Sequence, residues 1–494
     1  MAGGVFTPYS TGAEFFGTKP TWIPDPLDIE RIQSYQAYEE MYWNVPDIFK
    51  ISLRGTNALP VYIPTSRTII NTTNRYYGAD FRVIIGGKGS GAEAAQIAVS
   101  DFMKREKVRS KLSGSKKYGL IHGDALWHLT ADETKPVGSR ISLTAIDPAM
   151  YFPIVDDEDV EKILGCHLVE LITTPDGDRI RRLTYRKVPR SDGTNQITVE
   201  EGIYATDKWG GPADAPLLVV RPATPLPDAI TSIPVYHTKN TEEPGNPFGS
   251  SEVRGLERIM GAVNQAVSDE SLALALMGIG MYATDASHPI DPVTKKPVAW
   301  QLGPGKVIHH DGTNFSRVPG VGNLGESYGT HYYRLWEALK WASGTPDVAI
   351  GNVDVSVAQS GIALALQLGP MLAKASEKNE LLLDTQNQLW YDLMNMWMPA
   401  YEATTFDGIT IDCVVGDAVP IDREARFAEL NDMLDRGVID TEYYRDEAKK
   451  LGYRFPDGLG ARAKAEFDQR QAMSDGFADR VAEEVDAVND DGES

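Results

Sequence analysis

A proline at position 370 stands about ten residues into a helical repeat that does not stop there. Upstream, Ser343-Gly344-Thr345-Pro346 ends one helical segment, and a polar, small-residue loop follows to about Gln359. The Ser360 hydroxyl can then accept from an otherwise orphan backbone N–H, so Ser360-Gly361 reads as the N-cap and start of a long apolar-periodic helix. Gly369-Pro370 interrupts the pattern, yet it resumes through Leu381, Leu389, Leu393 and Trp397. A proline in a helix interior removes one backbone hydrogen bond and crowds the preceding turn, at a cost of about 3 kcal/mol or more. The pattern therefore predicts two helical halves joined at a kink. No catalytic pattern lies in this stretch, and its character is mechanical.

At 494 residues the chain exceeds what one core supports, so two to four modules are expected. Its 42% hydrophobic and 9% aromatic content is that of a globular protein. A formal charge of −22 argues against a broad basic surface wrapped by nucleic acid. Cys166 and Cys413 lie far apart and read as buried thiols in a reducing compartment. The opening MAGGVFTPYSTG lacks the layout of a signal peptide, and no run of about 18 apolar residues occurs. The expectation is a chain made soluble in the cytosol, with no membrane partner.

Along the chain, residues 1–30 are rich in Pro, Gly and aromatics (Phe15, Phe16, Trp22) and read as an extended arm. Ile29–Asn44 has helical spacing; Leu59–Ile63 and Phe81–Ile85 read as strands. The Gly86–Gly91 turn then leads into an amphipathic helix over about Ala92–Leu112. Tyr118–Leu129 and Ile141–Pro153 alternate as half-buried strands do. Ile163–Thr173 and Arg179–Lys187 flank Thr174-Pro175-Asp176-Gly177-Asp178, a hairpin signal. Gln196–Tyr204 and Leu217–Arg221 complete a β-rich region, so the first 240 residues or so are α+β. After a Pro/Gly-rich break, a helix over about Ser251–Met277 carries Val253, Leu256, Met260, Val263 and Val267 at seam spacing. A second helix over about Glu326–Ala342 follows a β-rich insert with short runs at Val298–Leu302 and Lys306–His309. The two helices could run antiparallel as a stalk with the insert at its tip. Thr405–Val414 reads as a strand returning to the first domain, and helices at Asp422–Arg436, Thr441–Leu451 and from about Leu459 form a small module. Residues 416–494 hold 21 acidic and 11 basic side chains, about −10 of the total charge, and Asp486–Ser494 reads as a disordered acidic tail.

Enzymatic chemistry is poorly represented. Phe81–Gly91 (FRVIIGGKGSG) invites a nucleotide-binding reading, but Lys88 precedes Gly89-Ser90, so the Gly-Lys-Ser/Thr order of a phosphate loop is missing. Asp156-Asp157-Glu158-Asp159 lacks the spacing of a calcium loop and reads as solvated. His309-His310, His122 and His128 supply no three converging metal ligands, though Lys306, His309 and His310 suit a partner-binding surface. Lys104, Arg105, Lys107, Arg109, Lys111, Lys116 and Lys117 are opposed only by Glu106. A solvated helix face, contact with phosphates, and pairing with acids of a neighbouring copy all fit that cluster. Arg179, Arg181, Arg182, Arg186 and Lys187 alternate along the hairpin as a weaker basic group.

Five segments, taken in order, resemble the portal proteins of tailed bacteriophages. They are Asp147-Pro148 with Tyr151-Phe152-Pro153-Ile154; Ser250-Ser251-Glu252 through Leu256 to Asn264 and Ser268-Asp269; and Leu335 through Thr345-Pro346-Asp347. Next come Ser360-Gly361-Ile362-Ala363-Leu364 with Gly369-Pro370, Leu372, Lys374-Ala375 and Glu377-Lys378, and finally Val419-Pro420-Ile421-Asp422 with Gly437-Val438-Ile439. The resemblance implies a multidomain α+β portal fold. Its parts would be an N-terminal arm and α/β wing (1–248), a first stem helix (249–278), a small β-rich clip (279–325) and a second stem helix (326–345). A channel loop (346–360), a kinked long helix with a wing return strand (361–420), a helical crown (421–485) and the tail (486–494) complete it. It further implies a non-enzymatic ring, usually of twelve copies, at one capsid vertex of a virion assembled in the host cytoplasm. Double-stranded DNA is driven through such a ring by the terminase large subunit. Head-completion or adaptor proteins, the tail, the major capsid protein and a scaffolding protein are the other implied partners; no cofactor and no metal are implied. A monomeric capsid or tail adaptor, and an NTPase using Gly86–Gly91, are the competing readings.

A conduit must not hold its cargo, and each phosphate neutralised by Lys or Arg adds affinity through counterion release. Asn352, Val353, Asp354, Val355, Ser356 and Gln359, assigned to the channel loop by the resemblance, include no cation. Replacing Asp354 and Gln359 with Lys is expected to slow packaging in a single-particle translocation assay while leaving assembly intact. Unchanged packaging kinetics would count against placing this loop beside DNA.

Overall fold

The computed structural model describes residues 23, 26–46, 48–52, 59–87, 90–191, 193–211, 214–279, 281–284, 290–298, 315–318, 324–352, 361–416, 423–439, 443–444 and 447–448. The chain divides into two units, Met1–Ala418 and Val419–Ser494. The first is α+β.

Helix α1 (Pro26–Trp43) carries the expected helical spacing and buries Ile32, Tyr35, Tyr38, Met41 and Tyr42. The expected strand at Leu59–Ile63 is absent. Its backbone is held instead by side chains: Val61 N–H donates to Ser268 Oγ at 2.9 Å and Ile63 N–H to Asn264 Oδ1 at 2.6 Å. A helix the sequence does not announce follows, α2 (Thr65–Tyr76). Its Thr, Ile and Asn residues are poor helix formers, and the burial of Ile69, Ile70, Thr72 and Thr73 against the core overrides that propensity.

Strand β1 (Arg82–Gly86) leads to α3 (Ser90–Arg105) and α4 (Val108–His122). A single helix to Leu112 was expected; the break comes at Lys107, whose left-handed backbone (φ 52°) ends one helix and starts the next. Tyr118–His122, expected to be extended, is therefore helical up to Gly123 (φ 104°), and β2 begins only at Asp124, running to Ala131. The run Ile141–Pro153 is also split, into β3 (Ile141–Ile146) and β4 (Tyr151–Val155), by a turn at Pro148–Met150 that Asp147 caps through Ala149 N–H at 2.9 Å.

The predicted hairpin is present as β5 (Ile163–Thr174) and β6 (Gly177–Pro189), followed by β7 (Asn195–Tyr204) and β8 (Leu218–Pro225). These form an antiparallel sheet ordered β4-β5-β6-β7-β8. One face sends Cys166, Leu168, Tyr185, Ile197 and Val199 into the main core; the other packs Phe152, Val169, Ile180 and Tyr204 against Ile32 and Tyr35 of α1. Strand β9 (Val235–Lys239), missed in the sequence, completes a second sheet ordered β3-β2-β9.

Helix α5 (Glu257–Ile279) starts six residues later than Ser251 because Ser251–Gly255 forms turns. It leads into β10 (Met281–Thr284), which pairs antiparallel with β11 (Phe315–Val318), and α6 (Leu324–Ser343) follows. Leu339 near the end of α6 shares a core with Leu256 and Met260 at the start of α5, so the two helices run antiparallel with the ribbon joining their far ends. The expected strand at Lys306–His309, with Lys306, His309 and His310, lies outside the described residues, as does most of the one at Val298–Leu302.

After α6, residues Asp347–Ile350 form a helical turn, α7, where the sequence suggests loop. Helix α8 (Gly361–Asp392) runs 32 residues with Pro370 inside, so the two expected halves are one hydrogen-bonded helix. Pro370 cannot bond the Leu366 carbonyl, and both residues lie on the solvent side, where water can replace that bond. A wider turn at Leu393–Trp397, where Met398 N–H bonds Leu393 O, precedes Pro399 and passes into α9 (Met398–Glu402). Strand β12 (Thr410–Val414) returns and pairs antiparallel with β1.

In the second unit, α10 (Arg423–Asp435) is present and stops at Gly437 (φ 69°), as its sequence predicts. The helices expected at Thr441–Leu451, for the most part, and from Leu459, and the acidic tail, lie outside the described residues. No helix among the described residues is long and apolar enough to cross a membrane.

Phe102 of α3 is 1% exposed and meets the Trp390 ring edge-on at 5.9 Å, joining α3 to α8. Truncation by Phe102→Ala is expected to cost about 3–5 kcal/mol in urea-melt stability. A cost below 1 kcal/mol would mean that α8 is not anchored through this pair.

Candidate functional site

The loop between β9 and α5 is seated by two glycines that face each other, its own Gly249 and Gly123 at the end of α4. A Cβ on Gly123 would sit 2.6 Å from Gly249 O, and one on Gly249 would sit 2.3 Å from Gly123 O, so no side chain fits at either position. This approach lets the loop cap α4: Ser251 Oγ donates to Ile121 O at 2.6 Å and Glu252 N–H to Leu120 O at 2.9 Å. The Glu252 side chain, 6% exposed, is thereby aimed at α8.

Two lysines one turn apart on α8 receive it. Glu252 Oε2 lies 3.0 Å from Lys378 Nζ, and Glu252 Oε1 pairs with Lys374 Nζ. Lys378 Nζ also donates to Asn240 Oδ1 at 2.8 Å, and Lys374 Nζ donates to Ser343 O at 2.7 Å, the last residue of α6. A cation at a helix C-terminus is favoured by the orphan carbonyls and the dipole there. One carboxylate and two ammoniums thus join the end of β9, the approach to α5, the end of α6 and the middle of α8. Beside them, Lys340 Nζ of α6 lies 2.5 Å from Asp347 of α7 and also pairs with Glu337.

Burial alone would raise the Glu252 pKa, but Lys378 and Lys374 outweigh it and hold the carboxyl below its ordinary range. Burial pushes the Lys378 ammonium down, against the pull of Glu252. Each charge is satisfied by protein groups. The capacity of the cluster is to fix geometry.

At the start of the Gly86–Gly91 turn, Gly86 and Gly87 pack closely against protein. A Cβ on Gly87 would meet Gly408 O at 3.0 Å, and one on Gly86 would meet Thr410 Oγ1 at 2.4 Å. These two glycines admit Gly408 and Thr410 of the returning chain; Lys88 and Gly89 are outside the described residues.

The basic cluster divides. Arg105 donates to Ile141 O at 3.0 Å and covers the Phe102 ring; Lys111 pairs with Glu106 at 3.0 Å. Lys116 is buried, donates to the Asn74 and Tyr77 carbonyls at the end of α2, and is pushed down by burial to about 8. Lys104, Lys107 and Arg109 are on the surface, Lys104 within 3.8 Å of Asp101, and Lys117 is half-buried. The seven residues therefore do not act as one set, since Arg105, Lys111 and Lys116 are engaged within the fold.

Asp156 pairs with Lys162 at 2.6 Å, and no group of metal-ligating side chains occurs among the described residues. His128 bonds Tyr185 OH at 2.9 Å and is pushed down to about 4 by burial, while His122 stacks on Tyr118. Arg182 is buried beneath Trp209 O and Tyr204, and Arg181 pairs with Glu201 at 2.7 Å. Both cysteines are buried and free.

Of the expected channel-loop residues, Asn352 is exposed and bonds back to Asp347 O at 2.9 Å; Val353, Asp354, Val355, Ser356, Gln359 and the capping Ser360 are outside the described residues. Gly361 opens α8, and Gly369 and Pro370 lie within it. Glu252, Lys374 and Lys378 enter the sequence reading only as members of motifs. The available signal is that Lys378 falls on the buried stripe Met371, Ala375, Leu382, Leu389, where an unpaired cation would be costly.

No family model matches the chain, and no curated protein does. Among solved structures, it is similar to a chain in the virion of a native gene transfer agent particle, at 11% identity and TM-score 0.43, over 89% of this chain and 97% of that one. It is also similar to a chain in the neck of the native particle computed with C12 symmetry, at 12% identity and TM-score 0.42, over 81% and 97% of the two chains. The neck of the empty particle computed with C6 symmetry gives 12% identity and TM-score 0.43, over 84% and 93%. Likeness at this level carries no weight for function, which has to rest on the residues.

Removing the charge of Glu252 leaves two lysines in a buried site. Glu252→Gln is expected to cost about 3–5 kcal/mol, and adding Lys374→Met with Lys378→Met to recover much of it in thermal melts. Because the folded carboxyl titrates below its ordinary 4.5, its contribution is complete above about that pH and is lost as pH falls through the folded value. The acid limb of the stability curve should flatten in Glu252→Gln; an unchanged limb would show that the triad does not contribute.

Proposed function

We propose that this chain is a portal-type ring subunit. Copies assemble around a channel at one vertex of a phage-like capsid, double-stranded DNA passes through during packaging and ejection, and terminase and head-completion proteins dock on the ring. One observation carries the reading. Segments that resemble the portal pattern in the sequence, Ser250-Ser251-Glu252 and Lys374 to Lys378, meet in a single buried triad at the root of an antiparallel helix pair tipped by a β-ribbon. That is the arrangement a stem and clip require. The motif residues Asn264 and Ser268 add to it by holding the 59–64 segment along α5.

A ring also accounts for side chains that one copy leaves in water. Trp341 is 84% exposed and Tyr333 62% on α6, and Leu274 is 55% exposed on α5. Two different surfaces meeting around a rotation axis would cover them.

Electron microscopy of the purified protein, with mass photometry, is expected to show rings with a central hole. Trp341→Glu, at a position that contributes little to the fold of one copy, is expected to shift the population to monomers without lowering the melting temperature. Full-length protein that stays monomeric at high concentration, with and without its co-expressed capsid proteins, would overturn the reading.

A further inference from the structure

Helices α5 and α6 lie along each other, and each has one side turned to the shared core. On α6 that side carries Trp336 and Leu339; on α5 it carries Leu256 and Met260. Arg258, Ala262 and Asp269 stand about half a turn round α5 from those residues. Trp341 and Arg334 stand about half a turn round α6 from Leu339. Both outer faces are open: Arg258, Arg334 and Trp341 are exposed, and Ala262 and Asp269 are half-buried. Among the described residues neither arginine has a carboxylate partner within the copy, and Asp269 accepts only from the Gln265 amide at 3.0 Å.

The ribbon of β10 and β11 joins the end of α5 at Ile279 to the start of α6 at Leu324, so heights along both helices count from it. Asp269 and Arg334 each lie about ten residues from that end, roughly 15 Å along the axis. Ala262 and Trp341 each lie about seventeen residues from it, roughly 26 Å. Arg258 lies one turn further, level with the end of α6. A groove of about 340 Å³ opens there, lined by Trp341, Pro346, Pro370, Glu337, Lys340 and Asp347. Lys340 pairs with both Glu337 and Asp347, which leaves the groove one negative charge in excess. At three successive levels the outer face of α5 thus offers what the outer face of α6 lacks. These are a carboxylate for Arg334, a small residue to receive the Trp341 indole, and a cation for the acidic groove.

Rotation about an axis along the helix pair keeps every residue at its own height, so levels that match within one copy also match between copies. We infer that these two faces form a heterologous contact between neighbouring copies of this chain. Asp269 pairs with Arg334 of the next copy, and the Trp341 indole of that copy lies on Ala262. Arg258 enters the acidic groove with its guanidinium against the same indole. The inference rests on the ring reading above and names the surfaces that close the ring.

The test compares the full chain with Asp269→Arg, Arg334→Asp and the double substitution, by mass photometry and electron microscopy. At a concentration where about half of the unsubstituted chain is assembled, each single reversal is expected to lower the ring fraction at least fivefold. The double substitution restores opposite charges across the contact and is expected to recover at least half of the original ring fraction. Rings that survive both single reversals, or a double form that does not recover, overturn the inference and leave the ring reading standing. Absence of rings from the unsubstituted chain, with and without its co-expressed capsid proteins, overturns both. Should a reversal lower the melting temperature, Ala262→Cys combined with Ala338→Cys gives an independent result, because Cys166 and Cys413 are buried. A short bismaleimide is expected to give a ladder of covalent multimers when both substitutions are present and none with either alone. Rings seen by microscopy that yield no ladder overturn the inference.

Discussion

The buried pairing of Glu252 with Lys374 and Lys378 is the constraint on which the arrangement of the long helices depends. Two charges taken out of water, Glu252 and Lys378, and a half-buried third, Lys374, must satisfy one another, and little displacement is tolerated before the desolvation cost returns. Because Lys374 also holds the end of α6 and Lys378 the end of β9, shifting any one of four elements would strip a charge of its partner. Apolar packing along α8 supplies cohesion, and it would permit sliding by a turn; the ion triad does not.

The same logic appears at the other polar buried points. Asp124, 1% exposed, accepts from Tyr35 OH and from the Gly249 N–H at 2.7 Å, and lies 2.7 Å from His237 Nε2, so α1, β2, β9 and the loop before α5 meet on one carboxylate. Arg31 is 1% exposed beneath Phe248 and donates to the Pro148 and Tyr151 carbonyls, which fixes the turn into β4. Lys116 closes the end of α2. In each case a side chain far away in sequence satisfies backbone or carboxylate groups that the local fold leaves open. Joints of this directional kind fix orientation between the sheets and the helix pair, whereas apolar contacts alone set distance better than orientation.

What the sequence shows clearly is what neighbouring residues decide. The hairpin of β5 and β6 follows from Asp176-Gly177, the end of α6 from Ser343-Gly344, and α1 from the spacing of its tyrosines. Elements settled by distant partners were hidden. Helix α2 has strand-like composition, and only burial against α4 and α8 makes it a helix. The 59–64 segment reads as a strand because its alternation is real, but its hydrogen-bond partners are Asn264 and Ser268, two hundred residues on. The break between α3 and α4 depends on one left-handed residue, Lys107, a type that gives no warning. The triad was legible only as two unconnected motifs, since nothing in either marks the other as its partner.

The continuity of α8 through Pro370 has a mechanical consequence. At about 1.5 Å per residue, 32 residues make a rod of about 48 Å, and Lys374 sits about 20 Å from its Gly361 end. With the far end embedded through Trp390 and Leu393, α8 is held a second time at the triad and a third time nearer its start, where Leu368 and Met371 are buried in a cluster with Ala349 of α7 and with Tyr76 of α2 packed against it. Pro370, missing one backbone hydrogen bond, lies between Leu368 and Met371, so the point of least bending stiffness falls where the helix is clamped against α7 and α2.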